Sequence, residues 1–427
     1  MPMMRTFVSQ PTLSADWSGE YEEKSAEWYE LFLDLLLVAA FSNVSDKLKE
    51  SLTIHGFGVF VIVTTAYVMT WMLFTNFHAR YNVSSLLHYA YLYVLLAGLG
   101  GMVLANDPGA AFTTGMLLAR VAILCMYITI YVYLPRVRPN VAIDVSVSVL
   151  SCIVLSFSFI SPDTWSIPAY VAAMVVESIG RLVVGALFRS SILRIPMNID
   201  HFNDRMGCLV LVCLGEGVVS AIINLDNSAH LTPRFYLMML LALLVVFSTA
   251  MFYFAIQPVR AFHALRRAAL TGIAFSWLHT LLAPALLCIG VGLKFITDAV
   301  LADESISSTD TWLLFAALAA TLAVMLAIRL AHFGGRQPAP TDPPAVKRLK
   351  YIWWILVGVS PVCPLICAAI VVGSRETVDP LVVLVMAAAF NLVCMFLETF
   401  IMNHLVAMGQ DLPSEMQDDV IHSPSTP

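Results

Sequence analysis

The chain carries little charge. Only 12% of its 427 residues are Asp, Glu, Lys or Arg, whereas soluble globular proteins carry about 25%. The net charge of −6 leaves no basic surface, so we expect no nucleic-acid partner. The eight cysteines are scattered through apolar segments without a CxxC or Cys/His cluster, so neither a metal site nor a cofactor is expected. The first 25 residues also lack the basic and apolar regions of a cleavable signal peptide.

Long apolar segments are abundant instead. Hydrophobic residues make up 59% of the chain, and apolar runs of about 20 residues recur along it, which is the length of a membrane-spanning helix. The runs are continuous rather than alternating, which excludes a membrane β-barrel. The sequence therefore predicts an all-α, polytopic transmembrane helix bundle in the lipid bilayer. About twelve spans are expected, near residues 28–45, 56–77, 84–105, 111–134, 141–161, 166–188, 205–225, 235–257, 270–297, 311–333, 351–373 and 380–405.

The basic residues of the loops predict the orientation. Twelve spans place both termini on one side, and cytoplasmic loops are the ones enriched in Lys and Arg. The loops on the side of the termini contain Arg80, Arg136, Arg138, Arg189, Arg194, Arg260, Arg266, Arg267, Arg336, Lys347, Arg348 and Lys350. Those on the opposite side contain Lys47, Lys49, Arg234, Lys294 and Arg375. We therefore expect both termini to lie in the cytoplasm. The sequence decides neither which membrane holds the protein nor whether it forms a homo-oligomer.

Two sets of six spans give the expected domain organisation. The third and ninth spans begin with Leu-His at His88 and His279, and the sixth and twelfth each carry one acid, Glu177 and Glu398. A parallel six-plus-six repeat or a coincidence explains this likeness. The predicted parts are a polar tail 1–27, a first half 28–188, a cytoplasmic linker 189–204, a second half 205–408 and an acidic tail 409–427.

Acidic residues recur within the apolar runs, where insertion of a charge costs about 2.5–3.5 kcal/mol. Such groups must face a protein interior or water, so we expect them to converge on a shared polar interior. Glu30 and Asp34 lie in WYELFLDLLLV on one helix face, four residues apart. The sequence leaves three roles open for this pair: binding a cation, relaying protons, or only fixing the position of the first helix. Glu216, between Gly215 and Gly217, is the best single candidate for a binding carboxylate.

The block WYELFLDLLLV and the later block HFNDRMGCLVLVCLGEG together resemble the low temperature requirement A (LtrA) family of membrane proteins. The matching positions are Trp28, Glu30, Leu31, Phe32, Asp34, Leu35, His201, Asp204, Arg205, Gly207, Leu214, Gly215 and Glu216, with Trp71, Arg120, Glu177 and His279 less specific. The chain departs from the family pattern at Asp204, Gly217 and residues 79–85. The family's name describes cold growth, so the resemblance implies a fold rather than a mechanism.

The remaining candidates are charged or titratable residues in or near the spans. Arg120 needs a partner, which Glu177, Asp34 or Glu216 would supply, and Arg181 lies four residues after Glu177 as for an intrahelical ion pair. The histidines act as proton acceptors or as structural groups. All candidate substrate- or ion-binding residues are Asp34, Arg120, Glu177, Arg181, Glu216, Glu30, Asp204, Arg205, His279, His88 and Glu398.

These patterns favour an ion- or proton-coupled transporter of an unknown small solute or ion. A non-catalytic structural or signalling membrane protein is the first alternative, with the buried charges only locking helices together. An enzyme acting on lipid-linked substrates is the weaker alternative, because the loops are short and carry few reactive groups.

Overall fold

The computed structural model describes residues 7, 9–15, 24–187, 195–222, 232–255, 263–332, 338–373 and 375–408, most of them helical. The helices are α1 (Trp28–Glu50), α2 (Ile54–His78), α3 (Leu86–Ala105), α4 (Ala110–Tyr133), α5 (Arg138–Ser156), α6 (Pro162–Leu187), α7 (Ile199–Ile222), α8 (Pro233–Phe254), α9 (Ala264–Arg267), α10 (Ala269–Ala302), α11 (Ser308–His332), α12 (Pro344–Val359), α13 (Cys363–Val372) and α14 (Pro380–Ala407). Short 3-10 turns cover Pro135–Val137 and Phe157–Ile160. Two-residue strands are β1 (Thr12–Leu13), β2 (Tyr81–Asn82), β3 (Ile306–Ser307) and β4 (Thr377–Val378).

Several parts of the chain for which the sequence makes predictions lie outside the described residues. They are the predicted tail 409–427, residues 189–194 of the predicted linker, most of residues 1–23 of the predicted N-terminal tail, and the loop arginines Arg189, Arg194, Arg260 and Arg336. The predicted domain boundaries and the cytoplasmic termini stay predictions.

The chain divides into two compact units, Met1–Val212 and Cys213–Pro427, and the boundary lies within α7. In the first unit, α2 is the most buried candidate span, because 61% of its most apolar stretch is buried inside the protein. Helices α3 and α4 approach each other closely at Gly98 and Gly115. A Cβ at Gly98 would lie only 2.7 Å from the backbone oxygen of Gly115, so a larger residue does not fit there. Strands β1 and β2 pair antiparallel, which ties the segment before α1 to the α2–α3 connection.

In the second unit, α10 packs on α11 in the same close manner. A Cβ at Gly292 would lie 2.9 Å from the Cβ of Leu314. The break between α12 and α13 bends the chain by 48°, and strands β3 and β4 pair antiparallel. Proline removes a backbone donor and clashes with the preceding turn, so Pro361 and Pro364 account for this bend.

The helices have the length and surface of membrane spans. Among the described residues, α2–α6, α8, α10, α11 and α14 are nine helices long and apolar enough to cross a bilayer, and the bent pair α12–α13 makes a tenth. Leu240, Phe396 and Phe400 expose 60% to 67% of their surface, as suits side chains that face lipid. Helices α1 and α7 are not among these spans, so the count of twelve and the six-plus-six repeat stay predictions.

Candidate functional site

A buried ion pair joins the two sequence blocks that carry the family resemblance. The Nη1 and Nη2 groups of Arg205 on α7 donate to the two carboxylate oxygens of Asp34 on α1, at 2.7 and 2.6 Å. The indole Nε1 of Trp71 on α2 donates to the same carboxylate at 2.7 Å, and the guanidinium carbon lies 5.1 Å from the centre of the indole ring. A bidentate, charge-assisted pair beside an aromatic ring is a strong link between three helices.

Glu30 forms a second contact between α1 and α7. Its Oε1 lies 3.1 Å from Nε2 of His201, and both side chains are fully buried. Its Oε2 accepts a hydrogen bond from the Glu27 N–H at 2.8 Å, which satisfies a free donor at the start of α1. On α7, the His201 N–H donates to the side chain of Asn198 at 3.0 Å. These contacts fit a structural role, and an ion-binding role for Glu30 stays a prediction.

Glu177 on α6 supplies the partner that Arg120 on α4 requires. Arg120 donates through Nε at 2.7 Å and through Nη2 at 3.3 Å to the two carboxylate oxygens, and both side chains are 2% exposed. Ser151 on α5 donates to the same carboxylate at 2.7 Å, and Arg120 also donates to the hydroxyl of Thr70 on α2. The pair therefore connects four helices of the first unit.

Arg181 contacts the backbone where an ion pair with Glu177 was expected. Its Nε donates to the Glu177 carbonyl oxygen at 3.4 Å, and its Nη2 lies 3.4 Å from the sulfur of Met69. The Glu177 carboxylate faces Arg120, so the charge pairing runs between helices rather than within α6.

Three consecutive residues of α2 each contact a different arginine. The contacts are Met69 with Arg181, Thr70 with Arg120, and Trp71 with Arg205. Because consecutive helical residues point in directions about 100° apart, α2 contacts cationic side chains on several sides. This central helix thus organises the polar interior of the first unit.

In the second unit, Glu216 on α7 pairs with Lys294 on α10. The ammonium Nζ lies 2.5 Å from Oε1, and the side chains are 3% and 1% exposed. A Cβ at Gly290 would meet the Cγ of Glu216 at 3.5 Å and the backbone N of Gly217 at 3.4 Å, so two glycines face each other beside the pair. The placement of Lys294 in a loop was wrong, because α10 continues to Ala302 and buries it.

A further buried pair joins α11 and α14. Arg329 donates to Glu398 at 2.5 and 3.3 Å, the side chains are 7% and 9% exposed, and the guanidinium carbon lies 5.6 Å from the Trp353 ring. A cavity of about 20 Å³, room for one water molecule, adjoins the pair beside the α12–α13 break. Asn391, seven residues before Glu398 on α14, donates to the hydroxyl of Ser248 at 3.0 Å.

Comparison with known proteins assigns the chain to a family. A family model described as Bacterial low temperature requirement A protein (LtrA) matches residues 25–409. The chain belongs to the LtrA family. No curated protein and no solved structure matches it. Family membership and the apolar helices make this LtrA protein a multi-pass integral membrane protein.

The other predicted site residues of the LtrA chain have different surroundings. His88 stacks on the Phe77 ring with centroids 5.9 Å apart, and Nε2 of His279 lies 2.9 Å from the Tyr253 hydroxyl. Asp204 is exposed on α7. Proton-accepting roles for these histidines stay predictions.

Sequence reasoning missed two of the cations that matter most. Lys294 was assigned to a loop and Arg329 was not considered, although both interrupt apolar segments. The rule that an intramembrane charge needs a partner would have singled both out. The chamber expected to be shared by Asp34, Glu177 and Glu216 stays a prediction.

Proposed function

We propose that this LtrA protein is an ion- or proton-coupled transporter of a small solute, with Glu216 and Lys294 as its coupling pair. One observation carries the proposal: a carboxylate and an ammonium, each at most 3% exposed, lie 2.5 Å apart on helices α7 and α10. Charges at such positions are costly in a membrane, and they commonly mark ion pathways and proton relays.

The chemistry of the cation distinguishes this pair from the arginine pairs. A guanidinium stays protonated in proteins and binds a carboxylate through a fixed, two-point fork, as Arg205 does with Asp34 and Arg120 with Glu177. An ammonium is a compact charge that gives up its proton when its surroundings change. Proton exchange is therefore available to the lysine pair, and permanent linkage suits the arginine pairs.

Proton uptake would change the balance of charge at this site. When Glu216 binds a proton, the carboxylate becomes neutral and no longer offsets the positive charge of Lys294. Removing one partner of a buried ion pair costs several kcal/mol, so the protonated protein favours conformations in which the ammonium gains contact with water or an anion. A metal cation bound by Glu216 would displace Lys294 in the same way. This dependence of conformation on ligand is what coupled transport requires.

The number of spans, the internal repeat and the side of the termini are part of the same proposal. Twelve spans with a parallel repeat are supported by the arginine pairs, which join the fourth and sixth helices of each predicted half, Arg120 with Glu177 and Arg329 with Glu398. The third helix of each half also ends in a left-handed residue, at φ 58° and φ 55°. Cytoplasmic termini remain part of the proposal through the loop charges.

A structural or signalling role is the second candidate function, and the arginine pairs favour it. If every buried charge only links helices, then Glu216 and Lys294 do the same. The enzyme alternative has less support, because His201 and Arg205 are occupied by Glu30 and Asp34.

Flux through the reconstituted protein tests the proposal. Liposomes that contain the purified chain and a pH-sensitive dye are challenged with a proton gradient, with Na⁺, K⁺, amino acids or sugars added one at a time. We expect at least one condition in which wild-type vesicles move protons or solute faster than protein-free vesicles. Glu216→Gln and Lys294→Met should abolish that flux.

The matched control is Asp303→Asn, which removes an exposed ion-pair partner of Arg234 in the same unit. It should leave the flux at the wild-type level. A Glu216→Gln protein whose fluxes all equal those of the wild type would overturn the proposal. Loss of the fold in Glu216→Gln, detected by size-exclusion chromatography, would favour the structural candidate.

A further inference from the structure

A cavity of about 140 Å³ lies in the first unit, where α1 ends and α2 begins beside the end of α3. Its inner walls are apolar and come from Val44, Leu48, Phe60 and Val63, each at most 4% exposed. Its polar lining comes from Lys47, Ser51, Asn106 and Asp107. Ligand sites typically combine an apolar interior with a few polar groups in this way.

The polar groups of the cavity divide into a positive and a negative side. Lys47 and the N-terminus of α2, which Thr53 caps, supply positive potential. Asp107 and the C-terminus of α3 supply negative potential. The Lys47 ammonium lies 2.6 Å from the Asp107 carboxylate, and these side chains are 40% and 65% exposed. The charges are thus accessible from outside the cavity.

Asn106 adds a hydrogen-bond acceptor on the negative side. It caps α3 in a left-handed conformation, with φ 58°, and its N–H donates to the Met102 carbonyl at 3.1 Å. Its side-chain Oδ1 is buried, and no group among the described residues donates to it. A buried acceptor without a donor is costly, so a ligand that donates a hydrogen bond here is favoured.

We propose that this cavity binds a small aliphatic α-amino acid. The ligand's ammonium lies between Asp107 and Asn106 Oδ1, its carboxylate lies at Lys47 and the start of α2, and its side chain enters the apolar interior. The ligand then replaces one ion pair with two. The volume suits a short aliphatic chain, since a cavity of roughly 150 Å³ holds a benzene molecule.

This site is independent of the coupling pair in the second unit. All its groups lie between Val44 and Asp107, and binding there requires no transport. The inference therefore goes beyond the proposed function, and either can fail without the other.

Equilibrium binding of radiolabelled L-leucine to the full chain in lipid nanodiscs tests the proposal. We expect saturable binding to the wild type. The same wild-type protein should bind 3-methylbutylamine, which lacks the carboxylate, and 4-methylpentanoate, which lacks the ammonium, at least about tenfold more weakly, because each loses a charged hydrogen bond. This comparison requires no mutant.

Variants then assign the site to its residues. Asp107→Asn and Lys47→Gln should each weaken leucine binding by at least about tenfold. Val59 also lines the cavity, so Val59→Phe should fill it and abolish binding. Asp303→Asn, the exposed pair of the second unit, should bind like the wild type. Absence of saturable leucine binding, binding of either analogue as tight as that of leucine, or unchanged leucine binding by Asp107→Asn would each overturn the proposal.

Discussion

Replacing Asp34 with asparagine tests how strongly the buried arginine pairs hold the fold. The carboxylate accepts hydrogen bonds from Arg205 at 2.7 and 2.6 Å and from Trp71 at 2.7 Å. Asparagine keeps the volume but removes the charge, and Arg205, whose side chain is fully buried, loses the carboxylate that its guanidinium binds. Removing one partner of a buried ion pair lowers the free energy of unfolding by about 3–5 kcal/mol, which is the loss expected for Asp34→Asn.

The assay is an SDS titration of the purified protein in mixed micelles, followed by circular dichroism. The control is Asp303→Asn, because Asp303 is 82% exposed and its pair with Arg234 should contribute about 0–1 kcal/mol. Asp34→Glu keeps the charge and should lose less stability than Asp34→Asn. Equal losses for Asp34→Asn and Asp303→Asn would refute the reasoning, because burial of the pair would then carry no weight.

Two other predictions follow from contacts of the second unit. Glu398→Gln should lower the free energy of unfolding by about 3–5 kcal/mol in the same titration, because it leaves Arg329 buried and unpaired, and a loss no larger than that of Asp303→Asn would contradict this. Hydrogen bonds from the Ala339 N–H and the Lys350 ammonium hold the pKa of Asp342 below its usual value. Their stabilisation of residues 338–343 is therefore present above about pH 4 and is lost as the pH falls further. Hydrogen exchange of this segment, corrected for intrinsic rates, should accelerate on acidification in the wild type but not in Asp342→Asn.

The sequence predicts the helices well because each needs only local information. Each predicted apolar segment falls on a helix, and the segment with Pro361 and Pro364 falls on the bent pair α12–α13. The number of spans is harder to predict, because α1, which carries Glu30 and Asp34, is not among the helices that qualify by length and composition. Whether such a helix crosses the bilayer depends on partners that solvate its charges.

Partner choice within the candidate site required tertiary structure. Helical spacing predicts that Glu30 and Asp34 share one face, but the pairing of Arg120 with Glu177 joins residues 57 positions apart. That pairing depends on how α4 packs against α6, which no single segment specifies. Lys294 was misplaced for a different reason, since it was counted with the loop charges although it lies near the end of the predicted span 270–297, and α10 continues beyond it to Ala302.

The most direct test of the central claim is infrared difference spectroscopy of the protein in lipid as the pH is lowered. The claim is that Glu216 takes up a proton as part of coupled transport. We predict a protonated-carboxyl band that appears on acidification in the wild type, persists in Glu177→Gln, and disappears in Glu216→Gln. A band unchanged in Glu216→Gln would contradict the account.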